Sequence, residues 1–237
     1  CARTGYSNTC QKTAKTELSF QSPHSHYLNS HLTMDNLLEW RKNKRKQLIT
    51  SREAIPDAVH QQWSRAISDS LMQGFTQLQK MTIGIYWPFR GEYDPRSIAQ
   101  HFMHLGATLA LPEVIGKDEP LCFRLWTPDM PMRNGAYGIP VPIETNTVRI
   151  DAVIIPMVGF DQHGYRLGYG SGYFDRTLAT YETRPLTIGI AFEMQRLDDI
   201  YPQSHDIAMH YVVTETGIFQ TINNELSFVH SFQCTDR

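Results

Sequence analysis

Between Met34 and Phe219, short apolar runs alternate with segments whose apolar residues recur at helical spacing. No other feature constrains the fold of this chain as much. The apolar runs are Met81–Trp87, Ala107–Leu111, Cys122–Trp126, Ile150–Pro156, Leu186–Phe192 and Tyr211–Phe219, all of strand length. Among the intervening segments, Pro95–Leu105 turns Ile98 and Phe102 inward, and Phe174–Tyr181 reads as a helix. Two helices precede the first strand. One is capped by Asp35 and runs to about Arg52; the other follows Pro56 and aligns Val59, Trp63, Ile67 and Leu71 on one face. Strands separated by helices imply an α/β fold with a mainly parallel sheet and helices on both faces, in three layers.

Composition narrows the partners. The chain has 237 residues, with 22 Lys+Arg against 24 Asp+Glu, a formal charge of −2. A pI near 6.6 argues against a surface devoted to nucleic acid. No apolar run approaches the roughly 18 residues of a membrane span. The four cysteines (Cys1, Cys10, Cys122, Cys234) form no C-x-x-C pair, and three lie near the ends. Reduced thiols and a cytoplasmic location follow. Residues 1–33 hold ten Ser/Thr, three histidines (His24, His26, His31) and no apolar periodicity. They read as an extension without fixed order, with Met34 as a plausible native start. Residues 34–220 read as one domain, because no Gly-, Pro- or Ser-rich linker divides them. Residues 221–237 read as a loose C-terminal tail.

The densest chemical signal is Arg166-Leu-Gly168-Tyr169-Gly170-Ser171-Gly172-Tyr173-Phe174-Asp175, between a buried strand and a helix. Alternate glycines let successive backbone N–H groups converge as an anion nest, reinforced by the start of the helix. Arg166 adds a cation, and Asp175 a carboxylate able to hold Mg²⁺ against phosphate. It matches neither G-x-x-x-x-G-K-[ST] nor G-x-G-x-x-G. A purely structural loop needs the glycines but not the surrounding arginine, aspartate and aromatics, so the pattern favours nucleotide or phosphate. In an open α/β sheet that site falls at the C-terminal ends of the strands. A second signal is the basic helix, where Arg41, Arg45 and Arg52 fall within about 40° of one another. Guanidiniums so aligned suit phosphate oxygens, but an ordinary solvated basic face has the same pattern, and the sequence by itself favours that face. A third is Trp87-Pro-Phe-Arg-Gly-Glu92-Tyr-Asp94, at a strand end. Aromatic rings beside a carboxylate suit a flat heterocycle, while Asp94 caps the next helix and Glu92 is either part of that pocket or an exposed loop glutamate. In His205-Asp206 the carboxylate is a metal ligand or a turn residue, and the sequence favours the turn.

These stretches together resemble the 5-formyltetrahydrofolate cyclo-ligase family, also called methenyltetrahydrofolate synthetase. The resemblance rests chiefly on Arg166–Arg176, preceded by Ile155-Pro-Met-Val-Gly-Phe-Asp161. Gly91-Glu-Tyr-Asp94, Leu111-Pro-Glu-Val114, Tyr137-Gly-Ile-Pro140, His205-Asp206 and Thr214-Glu215 support it, over about residues 38–217. It implies a ligase of one-carbon metabolism that cyclises 5-formyltetrahydrofolate to 5,10-methenyltetrahydrofolate. ATP is the co-substrate, Mg²⁺ the metal, and ADP and phosphate are released. Carried over residue by residue, ATP falls on Arg41, Arg45, Arg166, Gly168, Gly170, Ser171, Gly172, Tyr173 and Phe174. Folate falls on Trp87, Glu92, Tyr169 and Tyr173, Mg²⁺ on Asp175 and Asp206, and the reacting groups on Arg166 and Tyr173. The chain departs from the family pattern at Phe174 (usually Tyr), Ser171 (usually Gly or Lys) and Val141 (usually Glu). Two further readings stand beside the enzyme. One is a family member that binds folate or nucleotide without turnover, which has less need of both Mg²⁺ carboxylates. The other is nucleic-acid binding through the Arg41–Lys46 face, which has no aromatic platform. The expected partners are therefore small molecules, with neither membrane nor nucleic acid.

Overall fold

The computed structural model describes residues 33–230. Cys1, Cys10, Cys234, the three N-terminal histidines and nearly all of the expected extension lie outside them.

The chain opens with α1 (Met34–Glu53) and α2 (Asp57–Gly74). The Thr33 side chain caps α1, accepting from the Asn36 amide at 3.3 Å, so the cap is not Asp35, which sits in the first turn. Next come β1 (Thr82–Gly84), α3 (Arg96–His104), β2 (Thr108–Val114) and β3 (Leu121–Leu125). Strands β4 (Met132–Asn134) and β5 (Pro140–Pro142) form a separate hairpin. Then β6 (Ala152–Pro156), β7 (Gly159–Asp161) and β8 (Arg166–Leu167) lead to α4 (Tyr173–Ala179). The chain continues with β9 (Leu186–Ile190), β10 (Arg196–Leu197), β11 (Tyr211–Thr214), β12 (Gly217–Ile222) and β13 (Glu225–His230).

Eight strands make the main sheet, in the order β13-β12-β11-β9-β6-β1-β2-β3. The centre from β11 to β2 is parallel throughout; β3 at one edge and β12 and β13 at the other are antiparallel. The expectation of an α/β fold around a mainly parallel sheet is met. Side chains alternate between two clusters, as the pleat requires. Leu109, Ile154, Ile188 and Val213 pack with Ile67 and Leu71 of α2 and Phe102 of α3. Ala110, Val153, Ile155 and Val212 pack with Leu178 of α4.

Three expectations need correction. The run Met81–Trp87 is strand only at Thr82–Gly84, after which the chain leaves the sheet towards the cavity described below. Tyr211–Phe219 is two antiparallel strands, because Gly217 takes φ 145° and turns the chain back. The stretch after Asn223, expected as a loose tail, forms edge strand β13 as far as His230. Its alternation is blurred by exposed Phe228 and Val229, which hid it in the sequence.

Leu71 is fully buried between α2 and the sheet. Leu71→Ala is expected to lower unfolding free energy in urea by about 2–5 kcal/mol, the usual cost of such a cavity.

Candidate active site

Helix α1 lies across the loops at one end of the sheet. Leu48 and Ile49 anchor it against Val158, Leu167 and Ile200. One helical turn apart, Arg41 and Arg45 reach two loops, and Arg52 reaches a third. Arg41 donates to the Ile200 carbonyl at 3.3 Å, the Tyr201 carbonyl at 2.9 Å and Asp206 Oδ2 at 2.6 Å. Arg45 donates to the Gly168 carbonyl at 2.7 Å. Arg52 donates to the carbonyls of Arg90 at 3.0 Å and Met157 at 3.2 Å, and to the Tyr169 hydroxyl at 2.7 Å. The solvated basic face is thus excluded for Arg41 and Arg52, both buried.

The glycine-rich segment joins β8 to α4. Gly170 has φ 107° and Gly172, the N-cap of α4, φ 64°, so both need the freedom of glycine. A Cβ on Gly170 would also press on the Arg45 guanidinium at 3.3 Å. Arg166, entering this loop, is buried and donates to Asp175 Oδ2 at 2.6 Å. Asp175 Oδ1 accepts from the Ile207 amide at 3.1 Å. Asp206 Oδ2 also accepts from the Gln203 amide at 2.7 Å, so Asp206 closes a turn as well as pairing with Arg41.

Beyond β1, Glu92 is only 7% exposed. Its Oε1 accepts from the Tyr169 hydroxyl at 2.7 Å and its Oε2 from the Phe89 amide at 2.9 Å. Arg52 lies 3.6 Å from Oε1. The Arg96 guanidinium stacks 4.2 Å over Trp87, and Asp94 accepts from the Arg96 amide at 3.0 Å, but the N-cap of α3 is Pro95 rather than the expected Asp94, which stands one residue outside it.

Arg41, Arg45, Trp87, Glu92, Arg166, the glycine loop, Asp175 and Asp206 line one cavity of about 630 Å³, outside the C-terminal ends of β1, β2 and β6. Every residue on which the family resemblance places ATP, folate or Mg²⁺ lines it, whereas Arg52, aligned with Arg41 and Arg45 in the sequence, does not. The sequence did not single out Tyr86, Pro112, Ile139 or His205 as lining residues, nor assign a role to Tyr137, which joins them. Tyr137 arrives on the β4–β5 hairpin with φ 59°, and its hydroxyl lies 3.4 Å from that of Tyr173. A bulky residue in the left-handed region beside Gly138 is the local signal that marks this turn. Val141, one of the departures, is a buried apolar wall residue here. Phe174, another, lies under Arg166, 5.8 Å from its guanidinium.

The electrostatics set two regions apart. Three guanidiniums (Arg41, Arg45, Arg166) face two carboxylates (Asp175, Asp206), leaving one net positive charge beside the glycine loop. Burial and the neighbouring Arg41 both lower the pKa of Arg45, with Asp206 opposing them. An anionic ligand would relieve that strain. Around Glu92 burial dominates and raises its pKa, against Arg52, the Tyr169 hydroxyl and the Phe89 amide. Burial, reinforced by Glu92, raises the pKa of Tyr169 and keeps it a neutral donor.

A sequence model of the 5-formyltetrahydrofolate cyclo-ligase family matches residues 38–215. The chain belongs to that family. It is 25% identical to the 5-formyltetrahydrofolate cyclo-ligase of Haemophilus influenzae, over 70% of this chain and 95% of the relative. The 5,10-methenyltetrahydrofolate synthetase of Aquifex aeolicus, solved by NMR, superposes with TM-score 0.66 at 26% identity, covering 80% of this chain and 96% of that one. The corresponding synthetase of Mycoplasma pneumoniae gives TM-score 0.61 at 26% identity, over 74% and 98%. In this family member no helix among the described residues is long and apolar enough to cross a membrane.

Because Glu92 holds its proton more tightly folded than unfolded, its contribution to stability is present below the ordinary value of 4.5 and is lost as pH rises through the folded value. The stability of the unaltered chain relative to Glu92→Gln is therefore expected to fall as pH rises from 4.5 towards neutrality. Urea unfolding at a series of pH values measures it; a gap that does not vary with pH would mean that Arg52 cancels the burial.

Proposed function

We propose that this chain closes 5-formyltetrahydrofolate to 5,10-methenyltetrahydrofolate at the expense of ATP, releasing ADP and phosphate. One observation carries the reading. A single cavity joins an arginine-rich glycine loop to an aromatic pocket around a buried carboxylate, and Tyr169 belongs to both. That is the arrangement a phosphate-bearing and a heterocyclic substrate need in order to meet.

The chemistry explains why both are needed. The oxygen of an N-formyl group is a poor leaving group; when it attacks the γ-phosphorus and ADP leaves, it becomes a good one. Nitrogen 10 then attacks the activated carbon and gives up its proton, and phosphate departs. The protein's task is positioning and charge neutralisation. The nucleotide's phosphates rest on the glycine-loop amides from Gly168 to Gly172, with Arg41, Arg45 and Arg166 supplying charge. Folate stacks by Trp87 and Tyr169, with Glu92 accepting from its N–H groups. Tyr173 lies at the junction. The hydrogen bond with Tyr137 raises the Tyr173 pKa, so it can donate to a substrate oxygen while neutral.

Mg²⁺ fits this site only as an ion shared with phosphate. Among the described residues no three His, Cys, Asp or Glu side chains gather as a metal cluster. Asp175 and Asp206 both line the cavity, however, and Mg²⁺ commonly takes one or two carboxylates plus substrate oxygens. These two residues would hold it, and it would neutralise charge on the transferring phosphoryl group. For that role each carboxylate must share itself with the arginine it now pairs with.

The two side-chain clusters support a three-layer reading, with α2 and α3 on one face of the sheet and α4 on the other. Residues 34–220 are read as one catalytic unit, with strand β13 carrying its sheet further. Cys122 is a free thiol, in keeping with a reducing, cytoplasmic setting.

The test mixes the chain with 5-formyltetrahydrofolate, ATP and Mg²⁺, and follows the methenyl product by near-ultraviolet absorbance. Product is expected only with ATP present. Folate binding without product would favour the non-catalytic family member. Asp175→Asn keeps an acceptor for the Ile207 amide but loses the charge opposite Arg166. It is expected to lower turnover about 100-fold or more, a typical loss for one transition-state electrostatic contact. Normal turnover would remove Asp175 from the metal and phosphate site.

A further inference from the structure

We propose that Arg52 is a positioning residue that fixes the direction of the Arg52–Tyr169–Glu92 hydrogen-bond chain, so that Glu92 faces the folate pocket as an acceptor. This deepens the proposed function and rests on it.

Arg52 is 2% exposed and sits behind the cavity wall without lining it. A buried guanidinium costs stability unless its donors are matched. Here they are: two backbone carbonyls take two of the N–H groups, which fixes the plane of the fork. The third contact, to the Tyr169 hydroxyl at 2.7 Å, then has its direction set. Arg has no acceptor, so the Tyr169 oxygen must accept from it. The hydroxyl hydrogen is left for Glu92 Oε1 at 2.7 Å. Without Arg52 the hydroxyl could turn away, and the carboxylate could take up a proton and rotate as an acid. With Arg52 in place, Oε1 and Oε2 each accept one protein hydrogen bond, and a carboxylate's remaining lone pairs stay available to a ligand. The ligand class that suits such a group offers adjacent N–H donors, as the amino-lactam edge of a pterin does. The Tyr169 ring, 42% exposed, meanwhile stays on the cavity surface.

The chain of contacts predicts a loss selective for one substrate. Arg52→Lys keeps the charge but not the planar fork, and Tyr169→Phe keeps the ring but not the relay. Calorimetry on the full chain, with 5-formyltetrahydrofolate and separately with ATP, reads both. Each variant is expected to weaken folate binding about tenfold, the worth of one hydrogen bond to a charged group, and ATP binding less than about twofold. The double variant is expected to be no weaker for folate than the weaker single variant, since both break the same relay. Thermal unfolding of Tyr169→Phe, the milder change, checks that the fold is kept.

Equal losses for both substrates, additive losses in the double variant, or unchanged folate binding would each overturn the positioning role. If the unaltered chain bound no folate at all, the reading of the cavity itself would fall, and this inference with it.

Discussion

Three arginines on one face of a single helix hold the loops of this cavity in register. Each spends its hydrogen bonds mainly on backbone carbonyls rather than on carboxylates. That choice has a physical reason. Loops leave carbonyls without partners, and a buried carbonyl left unpaired costs about as much as a lost hydrogen bond. Arginine, with five donors and no acceptor, can satisfy several carbonyls at once and fix their relative positions. Helix α1 therefore clamps the segment beyond β1, the glycine loop and the segment around residues 200–206. The cavity exists because these three segments are held together.

The charge within that clamp is balanced in two different ways. Near the glycine loop, arginines outnumber carboxylates, and Arg166–Asp175 and Arg41–Asp206 sit in place as close pairs. Around Glu92 one carboxylate is matched by one arginine, and a tyrosine hydroxyl lies between them. The first region has positive charge to offer an anion. The second is neutral and directional, which suits a ligand recognised by its hydrogen-bond edge and not by its charge.

Much of this was legible in the sequence. The parallel centre of the sheet followed from apolar runs separated by helical spacing, a pattern set by local periodicity. The glycine loop was legible because its backbone demands are met by few residues, and the cavity residues Trp87, Glu92, Asp175 and Asp206 because a family pattern includes them. What escaped depends on distant partners. Arg52 looked like part of a basic helix face; its burial depends on Arg90, Met157 and Tyr169, dozens of residues away in sequence. Tyr137 reaches the cavity only because the β4–β5 hairpin folds over it. Strand β13 is hidden by exposed apolar residues on an edge strand, where alternation carries little penalty.

The clamp also bears on how the protein is made. Arg41 pairs with Asp206, 165 positions later in the chain, and Arg45 with a carbonyl 123 positions later. Closing loops of that length is entropically costly and slow compared with forming a helix. On the ribosome, α1 emerges well before its partners at residues 200–206. Arg52 and Arg45 find their carbonyls earlier, at residues 90, 157 and 168, but Arg41 has none to serve until residues 200–206 follow. The clamp is thus completed only when residues 200–206 join it, and a chain stalled before them leaves Arg41 with nothing to hold.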